Sequence, residues 1–250
     1  MSYTIALAGK GGTGKTTMAG LLIRYMVENG KRPVLAVDAD ANSNLNEVLG
    51  VSTGRTIGDA REEMKQGGLP GMTKDIFMEM RIQEALIESE GFDLIVMGRP
   101  EGQGCYCAAN TLLSQFIEKL SENYPFMVVD NEAGMEHISR LTTREIDALL
   151  IVSDSSRRGL QAGIRIGELT KELGLKIEKR WVIINQASAG DLGEAKDWEK
   201  LLEENGLKLL GVVPQDELIY EFDKAGKPTS TLPDHSVARS TAFKLFESLF

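Results

Sequence analysis

The sequence predicts an α/β protein built on a single doubly wound, mostly parallel sheet with helices on both faces. Short runs of β-branched and other apolar residues alternate with longer helical patterns from end to end. Most of these runs are continuously apolar, as in parallel strands that helices cover on both faces. No internal repeat, low-complexity tract or linker divides the chain, so we expect one domain over residues 1–250.

The same patterns place the individual elements. The apolar runs predict strands over Tyr3–Ala8, Pro33–Asp38, Phe92–Met97, Phe126–Asp130, Ala148–Ser153, Arg180–Asn185 and Lys208–Val213. Helices are predicted over Lys15–Glu28, Ala108–Glu122, Arg157–Leu173, Leu192–Glu204 and Asp216–Ala225. Thr56–Ser89 is interpreted as two helices separated at Gln66–Gly71, and a short helix is expected within His235–Phe250.

Composition excludes several classes of protein. The chain is 42% hydrophobic and 26% charged, which is ordinary for a globular fold and argues against disorder. Its net charge of −9 disfavours nucleic acid as a partner. No signal peptide or membrane span is evident, and the C-terminal segment has few basic residues for a membrane surface. We therefore expect a cytoplasmic protein whose thiols are reduced.

A phosphate-binding loop joins the first strand to the first helix. The pattern GxxxxGKS/T is complete in Gly9, Lys10, Gly11, Gly12, Thr13, Gly14, Lys15 and Thr16. Glycines let successive backbone N–H groups surround phosphates, and the helix N-terminus adds its positive dipole end. Lys15 is expected to contact the β- and γ-phosphates, Thr16 to ligate Mg²⁺, and Thr17 to contact the α-phosphate.

Lys10 adds a second lysine to this loop. A solvated surface lysine is the simplest interpretation, although two neighbouring ammonium groups repel each other unless a polyphosphate lies between them. The segment Lys10–Thr16, KGGTGKT, resembles the deviant Walker A motif of MinD/ParA-type ATPases and the nitrogenase iron protein. That resemblance implies that Lys10 crosses a two-fold interface to the partner's ATP, so that ATP binding drives dimerisation.

Two acids, Asp38 and Asp40, follow the second strand, where the carboxyl end of a parallel strand faces the ligand crevice. Carboxylates here suit outer-shell contacts to Mg²⁺ and orientation of the attacking water; capping a turn is the alternative. In the MinD-like group, the position of Asp40 activates the water and that of Asp38 contacts Mg²⁺ through water.

A third acid, Asp130, ends the apolar run Phe126–Asp130 and is the expected Walker B ligand of Mg²⁺. Gly134 follows closely and fits a switch that senses the γ-phosphate. Glu136 and His137 come next, and His137 is interpreted as a helix-start residue before a ligand.

The base is predicted to be adenine. After the strand that ends at Asn185, the sequence lacks the aspartate of the Asn-Lys-x-Asp motif that guanine requires. Asn185 offers both a donor and an acceptor to adenine. Pro214 and Asp216 follow the last predicted strand, where ATPases of this group line the adenine pocket.

The two cysteines, Cys105 and Cys107, are one residue apart in a glycine-rich loop before a predicted helix. Two thiolates in an extended segment can bind one soft divalent ion, and a two-fold dimer doubles them to four ligands. Structural cysteines and a vicinal redox pair are the alternatives, but a redox pair is typically CxxC.

The whole set of motifs, KGGTGKT, DADAN, GCYC, VVDNEAG with Glu136-His137, and INQ, resembles the CooC-type ATPases and the related AcsF proteins. These are nickel-insertion accessory proteins for carbon monoxide dehydrogenase and acetyl-CoA synthase. The resemblance implies a homodimer that binds ATP, Mg²⁺ and one Ni²⁺ through Cys105 and Cys107 of both subunits. Zn²⁺ could occupy the same thiolates.

The sequence therefore predicts an ATP-hydrolysing metallochaperone in which Asp40, Lys10 and Lys15 are catalytic. Its partners are a second copy and a nickel enzyme, with no nucleic acid or membrane. Two alternatives stay open: a MinD/ParA-type positioning ATPase, and an electron-transfer ATPase whose cysteines hold an iron–sulfur cluster.

Overall fold

The computed structural model describes residues 2–69, 71–98, 118–131 and 145–250. Within these residues, eight strands form one sheet in the order β3-β4-β2-β5-β1-β6-β7-β8, and every neighbouring pair is parallel except β3 and β4. The strands are β1 (Tyr3–Gly9), β2 (Val34–Asp38), β3 (Ile87–Ser89), β4 (Phe92–Val96), β5 (Phe126–Asp130), β6 (Ile146–Ser153), β7 (Ile177–Ala187) and β8 (Lys208–Pro214).

Helices connect these strands. In the described part of the chain they are α1 (Lys15–Glu28), α2 (Leu45–Leu49), α3 (Ile57–Lys65), α4 (Lys74–Ala85), α5 (Arg157–Glu172), α6 (Ala195–Glu204), α7 (Glu217–Lys224) and α8 (Val237–Phe246). Residues 118–121 are also helical, and short 3₁₀ turns cover Asp191–Glu194, Thr229–Thr231 and Glu247–Leu249. None of the described helices is both long and apolar enough to cross a membrane.

The core has two layers, one on each face of the sheet. Alternate residues of β1 divide between them: Ile5 and Leu7 pack with α1 and α8, whereas Ala6 and Ala8 face the side of α3, α4 and α5. All four side chains are at most 1% exposed, which explains why the strand reads as a continuous apolar run. The predicted doubly wound α/β fold is confirmed.

The sequence-based assignment missed two short elements, strand β3 and helix α2. The stretch Thr56–Ser89 was expected to contain only helices, but its last three residues form β3, which pairs with β4. Helix α2 was not predicted because five residues give too short a hydrophobic pattern. Smaller differences concern Leu192–Glu204, where the helix begins at Ala195 after a 3₁₀ turn, and Asp216, which caps α7.

Helix α2 is held against α1 by a close approach at Gly20. A Cβ at Gly20 would lie 2.2 Å from Val48 Cγ1, so only glycine allows the two helices this separation. Because α2 follows the loop after Asp38, this contact also positions that loop.

We predict that Gly20→Ala separates α1 from α2 and lowers the free energy of unfolding by about 1–3 kcal/mol, despite the better helix propensity of alanine. Urea unfolding measures the change. Gly54→Ala is the matched control, since a Cβ at Gly54 has open space, and it should stay within about 0.5 kcal/mol of wild type. Equal stability of the two variants would contradict the close packing.

Candidate active site

Three adjacent strands end together at the carboxyl edge of the sheet. β5 lies between β2 and β1, and its last residue, Asp130, is in register with Asp38 on one side and Leu7 on the other. Beyond the ladder, Ala39 N–H donates to Asp130 O at 2.9 Å and Asn131 N–H donates to Leu7 O at 3.3 Å. The loops after β1, β2 and β5 therefore start side by side.

The loop after β1 adopts a backbone that requires glycine. A Cβ at Gly9 would lie 2.3 Å from Val152 O on β6, and a Cβ at Gly14 would lie 2.4 Å from Asn185 Nδ2. Gly12 and Gly14 have φ of 83° and 81°, in the left-handed region. These positions bring the loop backbone close to its neighbours and leave no side chain between it and a phosphate.

The inner part of the loop is fixed by hydrogen bonds. Thr13 is 1% exposed and its hydroxyl donates to Lys10 O at 2.9 Å, while Asn185 Nδ2 donates to Thr13 O at 2.8 Å. Lys10, Gly11 and Gly12 are exposed. The phosphate loop is therefore fixed on its inner side by Thr13 and Asn185, and Lys10, Gly11 and Gly12 on its outer side are open to solvent.

Helix α1 begins at Lys15 without a side-chain cap. The N-cap residue, Gly14, has no side chain that could cap the helix, and the first turn contains no acidic residue. Its N–H groups are thus available to phosphate oxygens, as are the helix dipole and the half-buried Thr16 and Thr17.

Lys15 and Asp130 form a buried ion pair across this site. Lys15 Nζ lies 3.7 Å from Asp130 Oδ1, and the two side chains are 7% and 1% exposed. Neither carboxylate oxygen of Asp130 accepts a hydrogen bond from a described residue. Burial raises the pKa of Asp130, while the positive charge of Lys15 and the nearby Thr16 hydroxyl act in the opposite direction.

Asp38 is also buried, but both of its oxygens are used. Oδ1 accepts from Asp40 N–H at 3.1 Å and Oδ2 accepts from Leu45 N–H at 2.9 Å, so the carboxylate joins the end of β2 to the start of α2. Burial raises its pKa to about 7, assisted by the charges of Asp130 and Asp40, although the two hydrogen bonds oppose the shift. The capping role weighed from the sequence is present, and it does not exclude a water-mediated contact to a cation.

Asp40 lies in the turn that follows. Its Oδ1 accepts from Asn42 N–H at 2.8 Å and its backbone oxygen accepts from Ser43 N–H at 3.1 Å. The side chain is half-buried, near enough to Asp130 for the two charges to interact. Asp40 therefore lies at the same edge as Asp38 and Asp130.

These residues fit a Mg²⁺ ion. Mg²⁺ in nucleotide sites takes one or two protein oxygen ligands and completes its shell with phosphates and water. Beside its ion pair with Lys15, Asp130 offers two buried oxygens that accept no hydrogen bond by distance and angle, and Thr16 in the first turn of α1 lies beside it. Asp130 and Thr16 would hold the ion, which would supply positive charge to neutralise the phosphates. No group of three or more His, Cys, Asp or Glu in the described ranges forms a metal cluster, and Mg²⁺ requires none.

Asn185, the predicted adenine contact, lies where the register of β7 with β8 shifts, between Ile184 and Ala187. Gln186 has φ of 57°, which turns the chain toward the phosphate loop, where its Nε2 lies 3.4 Å from Gly12 O. Pro214 ends β8 close by, since Gln215 N–H donates to Ala187 O at 2.9 Å. The adenine contacts of Asn185, Pro214 and Asp216 stay a prediction.

Asp216 has a clear role within the fold. Its Oδ1 accepts from Leu218 N–H at 3.0 Å, and its Oδ2 accepts from Ser236 Oγ at 2.6 Å and Ala238 N–H at 3.1 Å. It thereby ties the start of α7 to the start of α8. Burial raises the pKa of Asp216, but these hydrogen bonds outweigh burial and leave it below its ordinary value.

Five residues of the sequence-based predictions lie outside the described residues: Cys105, Cys107, Gly134, Glu136 and His137. Sequence reasoning in turn assigned no role to Asn131, which the structure bonds to Leu7 of β1, or to Gln186, which it places beside the phosphate loop. The positive φ of Gln186 has no sequence signal, because glutamine seldom marks such a position.

Three features together define a P-loop ATPase. They are a glycine-rich loop that opens a helix, a lysine paired with a buried acid on a neighbouring strand, and further acids at the end of the next strand. The chain belongs to the CobQ/CobB/MinD/ParA nucleotide-binding domain family, whose model matches residues 4–229. It is an ATPase of this family.

Its relatives include an uncharacterized ATP-binding protein of Methanocaldococcus jannaschii, 42% identical over 93% of this chain and 92% of that protein. The carbon monoxide dehydrogenase accessory protein CooC of Rhodospirillum rubrum is 32% identical over 89% of this chain and 87% of that protein. The septum site-determining protein MinD of Pyrococcus horikoshii, solved with Mg-ADP, shares the fold with a TM-score of 0.74 at 24% identity, covering 99% and 96% of the two chains.

We predict that Asp216→Asn lowers the free energy of unfolding by about 1–2 kcal/mol at pH 7, because a cap and a tie to α8 are weakened. The folded pKa is depressed, so this contribution is complete above the ordinary aspartate pKa and is lost as the pH falls through the folded value. Urea unfolding at pH 7 and pH 3 measures the difference from wild type, which should shrink at pH 3.

Glu217→Gln, in the same helical turn but exposed, is the control and should change stability little. ATP affinity measured on Asp216→Asn separates the two roles. A cap alone leaves the affinity unchanged, whereas a weakened affinity at unchanged stability would contradict this assignment.

Proposed function

We propose that the protein is an ATP-dependent metallochaperone that binds Ni²⁺ through Cys105 and Cys107 of two subunits and delivers it to a nickel enzyme. The client would be carbon monoxide dehydrogenase or acetyl-CoA synthase, and ATP would control the homodimer.

One observation carries the proposal: the Gly-Cys-Tyr-Cys motif occurs in a chain that is 32% identical to a carbon monoxide dehydrogenase accessory protein over 89% of its length. The family alone establishes an ATPase. The cysteines add a soft-metal function, since two thiolates per subunit supply four ligands in a two-fold dimer.

The described residues before the cysteine segment support a link between nucleotide and metal. Met97 N–H donates to Asp38 O at 2.9 Å, so the chain leaves β4 beside the acid that ends β2. A Cβ at Gly98 would lie 2.4 Å from Thr56 Oγ1, and Gly58 N–H donates to Met97 O at 2.8 Å. A movement at the end of β2 would therefore displace Met97 and Gly98, which precede the segment that carries Cys105 and Cys107.

The phosphate loop supports control by dimerisation. The backbone of Lys10 is fixed through its carbonyl by Thr13, while its side chain is exposed. An exposed ammonium next to a phosphate site can reach a nucleotide held by a second subunit, as the resemblance to the deviant Walker A group implies.

Hydrolysis would then reset the dimer. Water oriented by Asp40 attacks the γ-phosphorus, the bond from that phosphorus to the bridging oxygen of ADP breaks, and Asp40 accepts the proton. Lys15 stabilises the charge that develops on the transferred phosphoryl group. Loss of the γ-phosphate removes an anion that holds the two subunits together, and the shared metal is released.

We predict that the wild-type protein with ATP binds one Ni²⁺ per two chains, and that Cys105→Ser/Cys107→Ser loses this binding while keeping ATP binding. The test is an anaerobic titration of both proteins with Ni²⁺ and, in parallel, with Zn²⁺. The molecular size of each protein is measured at the same time. The serine pair is nearly isosteric, so a change in metal stoichiometry reports the thiolates.

One metal per monomer, or Ni²⁺ binding that survives both substitutions, would contradict the shared thiolate site. Iron and acid-labile sulfide in anaerobically purified protein would favour the electron-transfer alternative. Activity in the cell that tolerates loss of both cysteines would favour a positioning ATPase.

A further inference from the structure

Asn131, directly after Asp130, is held in one orientation by the neighbouring strand. Its side chain is 1% exposed, and its Nδ2 donates to Leu7 O at 2.8 Å. Its backbone N–H donates to the same oxygen at 3.3 Å. The backbone N–H and one Nδ2 hydrogen are therefore committed to β1, and the side chain cannot turn over without losing a buried hydrogen bond.

The carbonyl oxygen of this amide has no hydrogen-bond donor among the described residues. Asn131 Oδ1 is buried and accepts no hydrogen bond from any described residue. A buried amide oxygen without a donor destabilises a fold, so such atoms are rare and usually meet water or a ligand. A leucine, of similar size, would avoid the unsatisfied oxygen at this position.

The place of Asn131 in the fold indicates what meets this oxygen. Asp130 lies opposite Asp38 in the register of β5 with β2, so Asn131 follows opposite Ala39, the residue before Asp40. Ala39 N–H donates to Asp130 O, which holds these two chain ends together. On the other side, Asn131 is bonded to Leu7, two residues before Gly9 opens the phosphate loop. Nδ2 holds the amide against β1, the strand that carries this loop. The other neighbour of β5 is β2, and the turn that follows β2 contains Asp40.

We propose that Asn131 is a further water-positioning residue for ATP hydrolysis, its Oδ1 accepting a hydrogen bond from the attacking water. A water molecule that attacks phosphorus must direct a lone pair at it, and both of its hydrogens then need acceptors. Asp40 accepts the hydrogen that is transferred as a proton. Asn131 Oδ1 accepts the second hydrogen, which stays on the transferred phosphate, and so fixes the angle of attack.

The oxygen suits this task because it is neutral and rigid. A carboxylate in its place would add a third buried negative charge next to Asp38 and Asp130 and would oppose the approach of ATP. The bond from Nδ2 to Leu7 O sets the position of Oδ1 before the nucleotide binds, so no reorganisation is required in the reaction.

The test is Asn131→Leu, which keeps the volume and removes the acceptor. We expect kcat for ATP hydrolysis to fall about 10- to 100-fold, with the Kd of a non-hydrolysable ATP analogue within about twofold of wild type. Affinity for ADP with aluminium fluoride, which mimics the transition state with its attacking water, should fall in parallel with kcat. Thermal stability without nucleotide should change little, because removal of the unsatisfied buried oxygen offsets loss of the hydrogen bond from Nδ2 to Leu7 O.

Thr170→Val is the matched control. Thr170 is fully buried and its hydroxyl donates to Gly167 O at 2.7 Å within α5, so this variant also removes a buried hydrogen bond to a carbonyl. It should lower thermal stability and leave kcat unchanged. Asn131→Ser, whose hydroxyl can still accept a hydrogen bond from water, should recover part of the lost kcat.

A kcat within twofold of wild type in folded Asn131→Leu would overturn the proposal. So would a loss of analogue affinity as large as the loss of kcat, because that would indicate a collapsed site. If the leucine variant does not fold, Asn131→Ala removes the same acceptor, and wild-type kcat with wild-type affinity for the aluminium fluoride complex in that variant would overturn the proposal. These readouts contain no nickel, so the result is independent of the metallochaperone proposal.

Discussion

Two carboxyl groups, Asp38 and Asp130, are buried side by side in adjacent strands, and the surrounding loops depend on how these charges are accommodated. They are in register in a parallel pair and are 0% and 1% exposed. Burial of two neighbouring acids is unfavourable unless hydrogen bonds, an opposite charge or a cation compensates. The two residues meet this requirement differently. Asp38 uses the N–H groups of Asp40 and Leu45, whereas Asp130 relies on Lys15 at 3.7 Å.

Because of this difference, Asp38 stabilises the local fold, whereas Asp130 keeps its oxygens for a ligand. The bonds to Asp38 fold the loop after β2 into a turn and begin α2, which packs on α1 at Gly20. Asp130 keeps both oxygens without a described hydrogen-bond donor, and Asn131 adds a third such oxygen. A hydrated cation and an attacking water are groups that present hydrogens to acceptors. The edge of β5 therefore holds the unsatisfied acceptors, while the hydrogen bonds of Asp38 make the end of β2 a rigid frame.

The sequence is sufficient to predict the phosphate loop, helix α1 and the apolar strands, because these depend on local motifs and hydrophobic runs. Helix α2 and strand β3 were missed, since α2 is held by Asp38 and the buried Leu45 and Leu49, and β3 exists through pairing with β4. Asn131 was not recognised either. Its unpartnered oxygen arises because its amide is committed to Leu7, 124 residues earlier in the chain, and no local pattern contains that contact. The role of Asp216 as a tie between α7 and α8 likewise depends on tertiary structure.

The Mg²⁺ dependence of ATP affinity in Asp130→Asn, measured by calorimetry with and without Mg²⁺, tests the central claim most directly. If Asp130 is the buried acceptor for the cation, wild-type protein binds ATP more tightly with Mg²⁺, and the variant loses most of this gain, about 10- to 100-fold. Without Mg²⁺, the variant should bind ATP at least as tightly as wild type, because a negative charge near the phosphates has been removed. An unchanged Mg²⁺ dependence, or equal weakening with and without Mg²⁺, would contradict the account.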